Sequence, residues 1–176
     1  MKVTSGIRRG ALLYAPEDLS VRPTTDKVKQ AVFNMIQFDV AKDSVLDLFA
    51  GSGALGIEAL SRGAKHCTFV DIRPDIVKKN IEKVRFGEIC KIIPADYQAF
   101  LMQCNQQFDL VFLDPPYQKG MLEIALSLLV ERKLLSPDCL LIWECDASEQ
   151  IAVPEQIKII KERTFGRICV RIGALL

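Results

Sequence analysis

The sequence predicts an α/β fold, a mostly parallel sheet flanked by helices, from three observations. Apolar runs of strand length alternate with helix-period segments from Val45 onward, a glycine turn follows the first of those runs, and two strand-like runs close the chain around Phe165 and Gly166. At 176 residues and 49% hydrophobic composition the chain is expected to be a single domain with a full core. Residues 1–23 should form a small hairpin extension and residues 24–176 the core that carries the chemistry. No internal repeat, low-complexity tract or interdomain linker interrupts it.

From the N-terminus, Lys2 to Thr4 and Ala11 to Tyr14 are strand-like, with Gly6 and Gly10 bracketing Arg8 and Arg9 in what should be a short hairpin. The stretch RPTTD, Arg22 to Asp26, leads into a helix that Thr24 or Thr25 can cap and whose positive end suits Asp26. Val28, Ala31, Val32, Met35 and Ile36 recur at helical spacing, so this face is expected to pack on the core. Val45 to Phe49 reads as a buried strand, Gly51 to Gly56 as a turn, and the stretch from Ala54 as a helix stopped by Gly63. Cys67 to Ile72 is a second strand, and Pro74 with Asp75 opens a helix that points Val77, Ile81 and Val84 inward.

Lys91 to Asp96 is the third strand and Tyr97 to Gln103 its helix. FDLVFLDPPY, Phe108 to Tyr117, begins as a continuous apolar run, the mark of a strand buried on both faces, and its two prolines force the chain out of the sheet. A helix follows with Met121, Ile124, Ala125, Leu128 and Leu129 on one face, then a fifth strand, Cys139 to Glu144. The closing IKIIKERTFGRICVRIGALL is expected to form an antiparallel hairpin on the sheet edge.

Composition excludes several classes. Nothing is long and apolar enough to span a membrane, and no charged-then-apolar segment opens the chain, so the cytoplasm is the expected location. The six cysteines are scattered without a C-x-x-C pair, and the single histidine, His66, has no sequence partner, so neither a metal site nor a disulfide framework is expected. Net charge is +1, yet residues 1–30 carry six Lys/Arg against three Asp/Glu and residues 151–176 carry five against two. Basic ends around an acidic middle suit a polyanionic partner.

The turn from Gly51 to Gly56, GSGALG, spells G-x-G-x-x-G, a pattern that allows a tight turn, close backbone approach to a ligand and close helix packing. Asp47 argues against a dinucleotide. A carboxylate inside a buried strand is costly unless hydrogen bonds are donated to it; it can face an ammonium group, or it can bond the backbone of its own turn. S-adenosylmethionine, with an amino acid end and a sulfonium, fits the first possibility better than a pyrophosphate does. Asp71 closes the second strand twenty residues after Gly51, the spacing at which an acid meets ribose hydroxyls, and Asp96 at the end of the third strand can meet an adenine amine. Phe49, Gly51, Gly53, Ile72 and Tyr97 complete the expected cofactor pocket.

DPPY presents Asp114, Pro115, Pro116 and Tyr117 in the crevice at the strand ends, beside the glycine turn. An exocyclic base amine is a poor nucleophile, because its lone pair is drawn into the ring. The Asp114 carboxylate and Pro115 carbonyl can accept its two hydrogens and turn the lone pair toward a donor methyl, while Tyr117 stacks on the base for roughly 1–3 kcal/mol. Alignment then supplies most of the catalysis.

At these residues the chain resembles a known family. LDLFAGSGALGIEALSRGA with FLDPPY looks like the class I S-adenosylmethionine-dependent amino methyltransferases, and RPTTDKVKQAVFNMI with the closing FGR narrows the resemblance to bacterial 16S ribosomal RNA guanine-N2 methyltransferases. It runs from about Ser5 to Val170. It implies a Rossmann-like fold with a seven-stranded, mostly parallel sheet, S-adenosylmethionine as cofactor, and 16S ribosomal RNA, naked or in an assembling small subunit, as partner. It also implies that Asp47, Gly51, Gly53 and Asp71 hold the cofactor and that Asp114 to Tyr117 hold the guanine amine. With no spare domain, Arg8, Arg9, Arg22, Lys27 and Lys29 are the expected RNA contacts. The nearest rival is an N6-adenine DNA methyltransferase, which shares DPPY but needs a separate sequence-reading region; a protein glutamine methyltransferase would be expected to carry Asn at position 114. A noncatalytic nucleic-acid-binding module and an NAD-dependent oxidoreductase are the readings from other classes.

Overall fold

The computed structural model describes residues 1–15, 26–116 and 120–176. Its strands are β1 (Ser44–Leu48), β2 (His66–Asp71), β3 (Cys90–Pro94), β4 (Phe108–Leu113), β5 (Leu135–Asp146), β6 (Ile157–Phe165) and β7 (Ile168–Leu175). Its helices are α1 (Asp26–Met35), α2 (Ala54–Ser61), α3 (Asp75–Val84), α4 (Tyr97–Gln103) and α5 (Met121–Glu131). The seven strands make one sheet in the order β3-β2-β1-β4-β5-β7-β6. β1 to β5 are mutually parallel, and the closing hairpin adds β7 antiparallel to β5 with β6 outermost.

The central strands read as continuous apolar runs because helices cover both faces. Along β4, Leu110 and Phe112 join the core under α1, α2 and α3, while Val111 and Leu113 join the core under α4 and α5. β1 splits the same way, with Val45 on the first side and Leu46 and Leu48 on the second. Such alternation is what a two-residue side-chain period produces. Four of the six cysteines, Cys67, Cys139, Cys145 and Cys169, are buried as small apolar side chains. No helix among the described residues is long and apolar enough to cross a membrane.

Three local expectations shift. The buried side of α5 is Leu122, Ala125, Leu126 and Leu129, with Ile124 41% exposed, because the helix is rotated by about one residue from the expected face. In α1 the buried set is Val28, Lys29, Val32 and Phe33, so the core-facing side is rotated toward Lys29 and Phe33 and leaves Ala31 and Met35 half-buried at its margin. The N-terminal hairpin is held by one antiparallel bridge, Lys2 with Leu12, rather than by two strands. The caps Thr24 and Thr25 lie outside the described residues.

Parallel pairing brings the carboxyl ends of β1 to β5 to one edge of the sheet. α2 and α3 start at that rim and run back, so Ser61 and Val84 sit toward the opposite edge. This polarity decides which residues can meet at a site.

Candidate active site

β1 ends at the rim in a turn whose three glycines do different work. Phe49, just before it, has φ 69°, the left-handed region that a bulky side chain rarely adopts. Its N–H and that of Ala50 both donate to the Val70 carbonyl, at 3.1 and 3.0 Å, which lashes the turn to β2. Gly51 has φ 55°, and a Cβ there would meet nothing nearer than the Phe49 carbonyl at 4.0 Å, so a ligand can approach its backbone. A Cβ on Gly53 would fall 2.6 Å from Val77 Cγ2, and one on Gly56 would fall 2.4 Å from Phe69 Cε1. Gly53 therefore serves the close approach of the turn to α3, and Gly56 that of α2 to β2.

Asp47 is 3% exposed, and its Oδ2 accepts the Gly56 N–H at 2.8 Å. The helix needs this. Its N-cap is Gly53, which has no side chain to take the orphan N–H groups of the first turn, so a carboxylate from the preceding strand takes one instead. The second of the two possibilities open from sequence, a bond to the turn's own backbone, is thus present. Burial, first, and then the nearby charges of Asp114 and Asp71 push the Asp47 carboxyl up from 3.8 to about 8, against the opposing pull of the Gly56 N–H. Three carboxylates thus crowd one rim, an arrangement that favours a bound cation.

Asp71 ties two turns together: Oδ2 accepts from Gly51 N at 2.7 Å and Oδ1 from Arg73 N at 2.8 Å. Each oxygen keeps a second lone-pair direction, so the carboxylate can still receive a ligand hydroxyl. Ile72, next in the chain, is 65% exposed, an apolar surface at the rim on which a flat ring can lie. Asp96 is exposed at the end of β3, but its Oδ1 is the N-cap of α4, accepting from Gln98 N at 2.9 Å and Ala99 N at 3.2 Å. Tyr97 is mostly buried and packs against Phe49 with ring centroids 4.8 Å apart, so this pair braces the turn from the α4 side. Asp114 follows β4 directly, Pro115 is buried and Pro116 exposed. Tyr117 lies outside the described residues.

The candidate RNA contacts separate. Lys29 is a correction: it is fully buried, with its ammonium 3.2 Å from Glu58 Oε2 and bonded to the Lys2 carbonyl, so it cannot reach a phosphate. Arg8 Nε donates to the Val84 carbonyl at 2.7 Å, and its guanidinium lies 5.5 Å from the Phe86 ring centroid. That side chain works inside the fold, at the edge of the sheet away from the rim. Arg9 and Lys27 are exposed, and Arg22 lies outside the described residues.

Two residues escaped the sequence reading. Glu58, fully buried, binds Thr4 N (2.8 Å), Thr4 Oγ1 (2.7 Å), Ser5 N (3.0 Å) and Arg62 Nε (2.8 Å) besides Lys29, and so joins α1, α2 and the N-terminal arm. No periodicity distinguishes it, since α2 is buried all round. Asn80, also fully buried, donates to the Ser52 carbonyl at 2.8 Å and the Tyr14 carbonyl at 3.0 Å and accepts from Tyr14 N at 2.8 Å, fastening the glycine turn to the arm. Its signal was available: an amide on the face of α3 that also carries Val77 and Val84. A cavity of about 350 Å³ lined by Thr68, Ile93, Phe100 and Gln106 lies under α4 and includes no residue of the turn or of β4.

What the rim offers is open glycine backbone, acids at the ends of β1, β2 and β4, and an exposed apolar residue beside one of them. That set fits a ligand carrying positive charge, ribose hydroxyls and a flat ring.

The family described as conserved hypothetical protein 95 matches residues 1–174. Ribosomal RNA small subunit methyltransferase D of Haemophilus influenzae is 36% identical over 178 residues, covering 98% of this chain and 92% of that protein. Among solved structures, yhhF of Escherichia coli, a candidate methyltransferase, superposes with a TM-score of 0.89 at 28% identity, covering 99% of this chain and 97% of that one. SMU.776, a candidate methyltransferase complexed with SAH, shares the fold at a TM-score of 0.65 and 14% identity, over 84% of this chain and 49% of that one.

Proposed function

Because the chain belongs to the conserved hypothetical protein 95 family, and with it to the family of ribosomal RNA small subunit methyltransferase D, we propose that it methylates the N2 amine of a guanine in 16S ribosomal RNA, with S-adenosylmethionine as donor. The observation that carries this reading is the meeting at one rim of Asp47, Gly51, Asp71 and the Asp114-Pro115 pair. When bound, S-adenosylmethionine supplies an electrophilic methyl on a sulfonium.

The residues around it have separable tasks. Gly51 offers backbone to the ligand, Asp71 its remaining lone pairs to the ribose, and Ile72 an apolar seat for the adenine. Asp47 fixes the turn through Gly56, while Asp71 and Asp114 set a negative potential that suits the cationic end of the ligand. Asp114 and the Pro115 carbonyl accept the two hydrogens of the guanine amine and aim its lone pair outward; the proton that the alkylated nitrogen must lose passes to the Asp114 carboxylate and from there to water. Tyr117 stacks on the base.

The test is incubation with labelled S-adenosylmethionine and separate pools of RNA, DNA and protein, followed by digestion to nucleosides. Label is expected in N2-methylguanosine from 16S ribosomal RNA. N6-methyladenosine in DNA would replace this reading with its rival. Asp114→Ala should lower turnover by orders of magnitude while leaving the cofactor's thermal shift intact, because the lost acceptor serves the reacting amine.

A further inference from the structure

The two basic segments of the sequence go to opposite ends of the sheet. At the N-terminus, Ile7 N donates to the carbonyl of Ser61, the last residue of α2, and Arg8 Nε to that of Val84, the last residue of α3. Both helices start at the rim and run away from it, and eight residues of α2 span about 12 Å. The tip that carries Arg8 and Arg9 therefore faces away from Asp114.

The β6–β7 hairpin does the reverse. Leu113 pairs with Trp143, Asp146 at the end of β5 pairs with Ile168, and Ile168 pairs with Phe165, which carries the hairpin tip to the rim. Counting two residues along β5 from the level of Asp114 and two to three strands across, the tip stands roughly 12–16 Å from Asp114. Phe165 and Ile168 pack on the same core as Phe112, two residues before Asp114, so tip and Asp114 share a face of the sheet.

Not every cation near the tip is available. The Lys161 ammonium donates to the Met35 carbonyl at 2.8 Å, and Arg171 is bonded to Glu162. Arg163 and Arg167 remain directed outward. Arg163 is exposed, with its guanidinium 5.5 Å from the Phe165 ring centroid. The Arg167 side chain is 78% exposed, and its Nη2 is 3.6 Å from Asp146 Oδ2. An aromatic face and a carboxylate thus orient two planar, permanently charged forks at the rim, the geometry that recognises phosphate.

We propose that Arg163 and Arg167, at the tip of the β6–β7 hairpin, hold the phosphate backbone of the RNA substrate a few nucleotides from the base in the Asp114 pocket. This rests on the reading that the acceptor is RNA. Phosphate contacts position a strand without reading its sequence, so the hairpin supplies register and Asp114 with Pro115 engage the base.

The experiment measures affinity for a 16S ribosomal RNA transcript across a salt series, using wild type, Arg163→Ala/Arg167→Ala, Arg163→Lys/Arg167→Lys and Arg9→Ala. Losing two phosphate contacts should reduce the slope of log affinity against log salt by about 1.4 to 1.8. The double alanine variant should also raise KM more than it lowers kcat and keep the wild-type thermal shift with S-adenosylmethionine. The double lysine variant should recover the slope, which a merely structural role for the two arginines would not require. An unchanged slope in the double alanine variant overturns the proposal, and a reduced slope in Arg9→Ala alone returns the RNA to the N-terminal arm. RNA that is methylated with an unchanged slope defeats this inference only, whereas label entering no RNA defeats the substrate reading and this inference together.

Discussion

Asp47→Asn isolates the charge of the buried carboxylate, because asparagine keeps a carbonyl oxygen for the Gly56 N–H and loses only the ionisation. In the fold the Asp47 carboxyl is raised from 3.8 to about 8 by burial and by Asp114 and Asp71. A carboxyl raised in this way leaves stability intact below about pH 4; stability then falls as pH climbs, until the group has ionised near pH 8. The interval is about 4 pH units at about 1.4 kcal/mol each, so the ceiling is roughly 6 kcal/mol. Even a third of that is large against a total stability of about 5–15 kcal/mol. Urea unfolding of both proteins from pH 5 to 9 reads the difference directly, since every other titrating group is common to the two. The variant should gain on wild type steadily from pH 5 to about 8 and level off above it. In wild type the cationic cofactor should also bind more tightly as pH rises toward 8, and in the variant this dependence should flatten. A stability difference that is constant from pH 5 to 8.5 would refute the argument that Asp47 is held against its ionisation.

Glu58→Ala strands the buried Lys29 ammonium and frees the N-terminal arm, for a loss of about 3–5 kcal/mol and a fall in Tm of about 6–20 °C by calorimetry. Adding Lys29→Met should restore part of it, and strictly additive losses would mean the pair is not coupled. The Glu58 carboxyl is lowered from 4.5 by its Thr4, Arg62 and Lys29 partners, which outweigh its burial, so its contribution is present above about pH 4.5 and is lost as pH falls through the lower folded value. Gly56→Ala places a methyl 2.4 Å from Phe69 and should cost about 1–3 kcal/mol in urea unfolding; no loss would show that the Phe69 ring can move aside.

The element order was legible because each element announces itself locally. The glycine turn, the run FDLVFL ended by two prolines, and the periodic face of α3 fall within a residue or two of where their patterns put them. So did the meeting of Asp47, Asp71 and Asp114, since parallel strands separated by helices must bring their carboxyl ends to one rim. Less legible were the jobs of individual polar groups. Asp47 reads as a ligand contact until Gly53 proves to be a cap without a side chain, and Asp96 spends one oxygen capping α4.

The sequence by itself determined the succession of strands and helices, the open turn at Gly51 and the acids at the strand ends, because apolar period, glycine backbone freedom and proline's missing N–H act within a few residues. Tertiary structure alone decided which charges go inside and which stand at the rim. Lys29 and Lys27 look alike in the chain, yet Lys29 meets Glu58 and the Lys2 carbonyl across three segments and is buried, while Lys27 stays in solvent. Arg8 reads in the chain as an RNA contact, whereas Arg167 raises no such expectation. Helix polarity ties Arg8 to the Val84 carbonyl at the far edge, and antiparallel pairing with β5 lifts Arg167 to the rim. Partners and levels of this kind are set by contacts between residues distant in sequence, which no local pattern encodes.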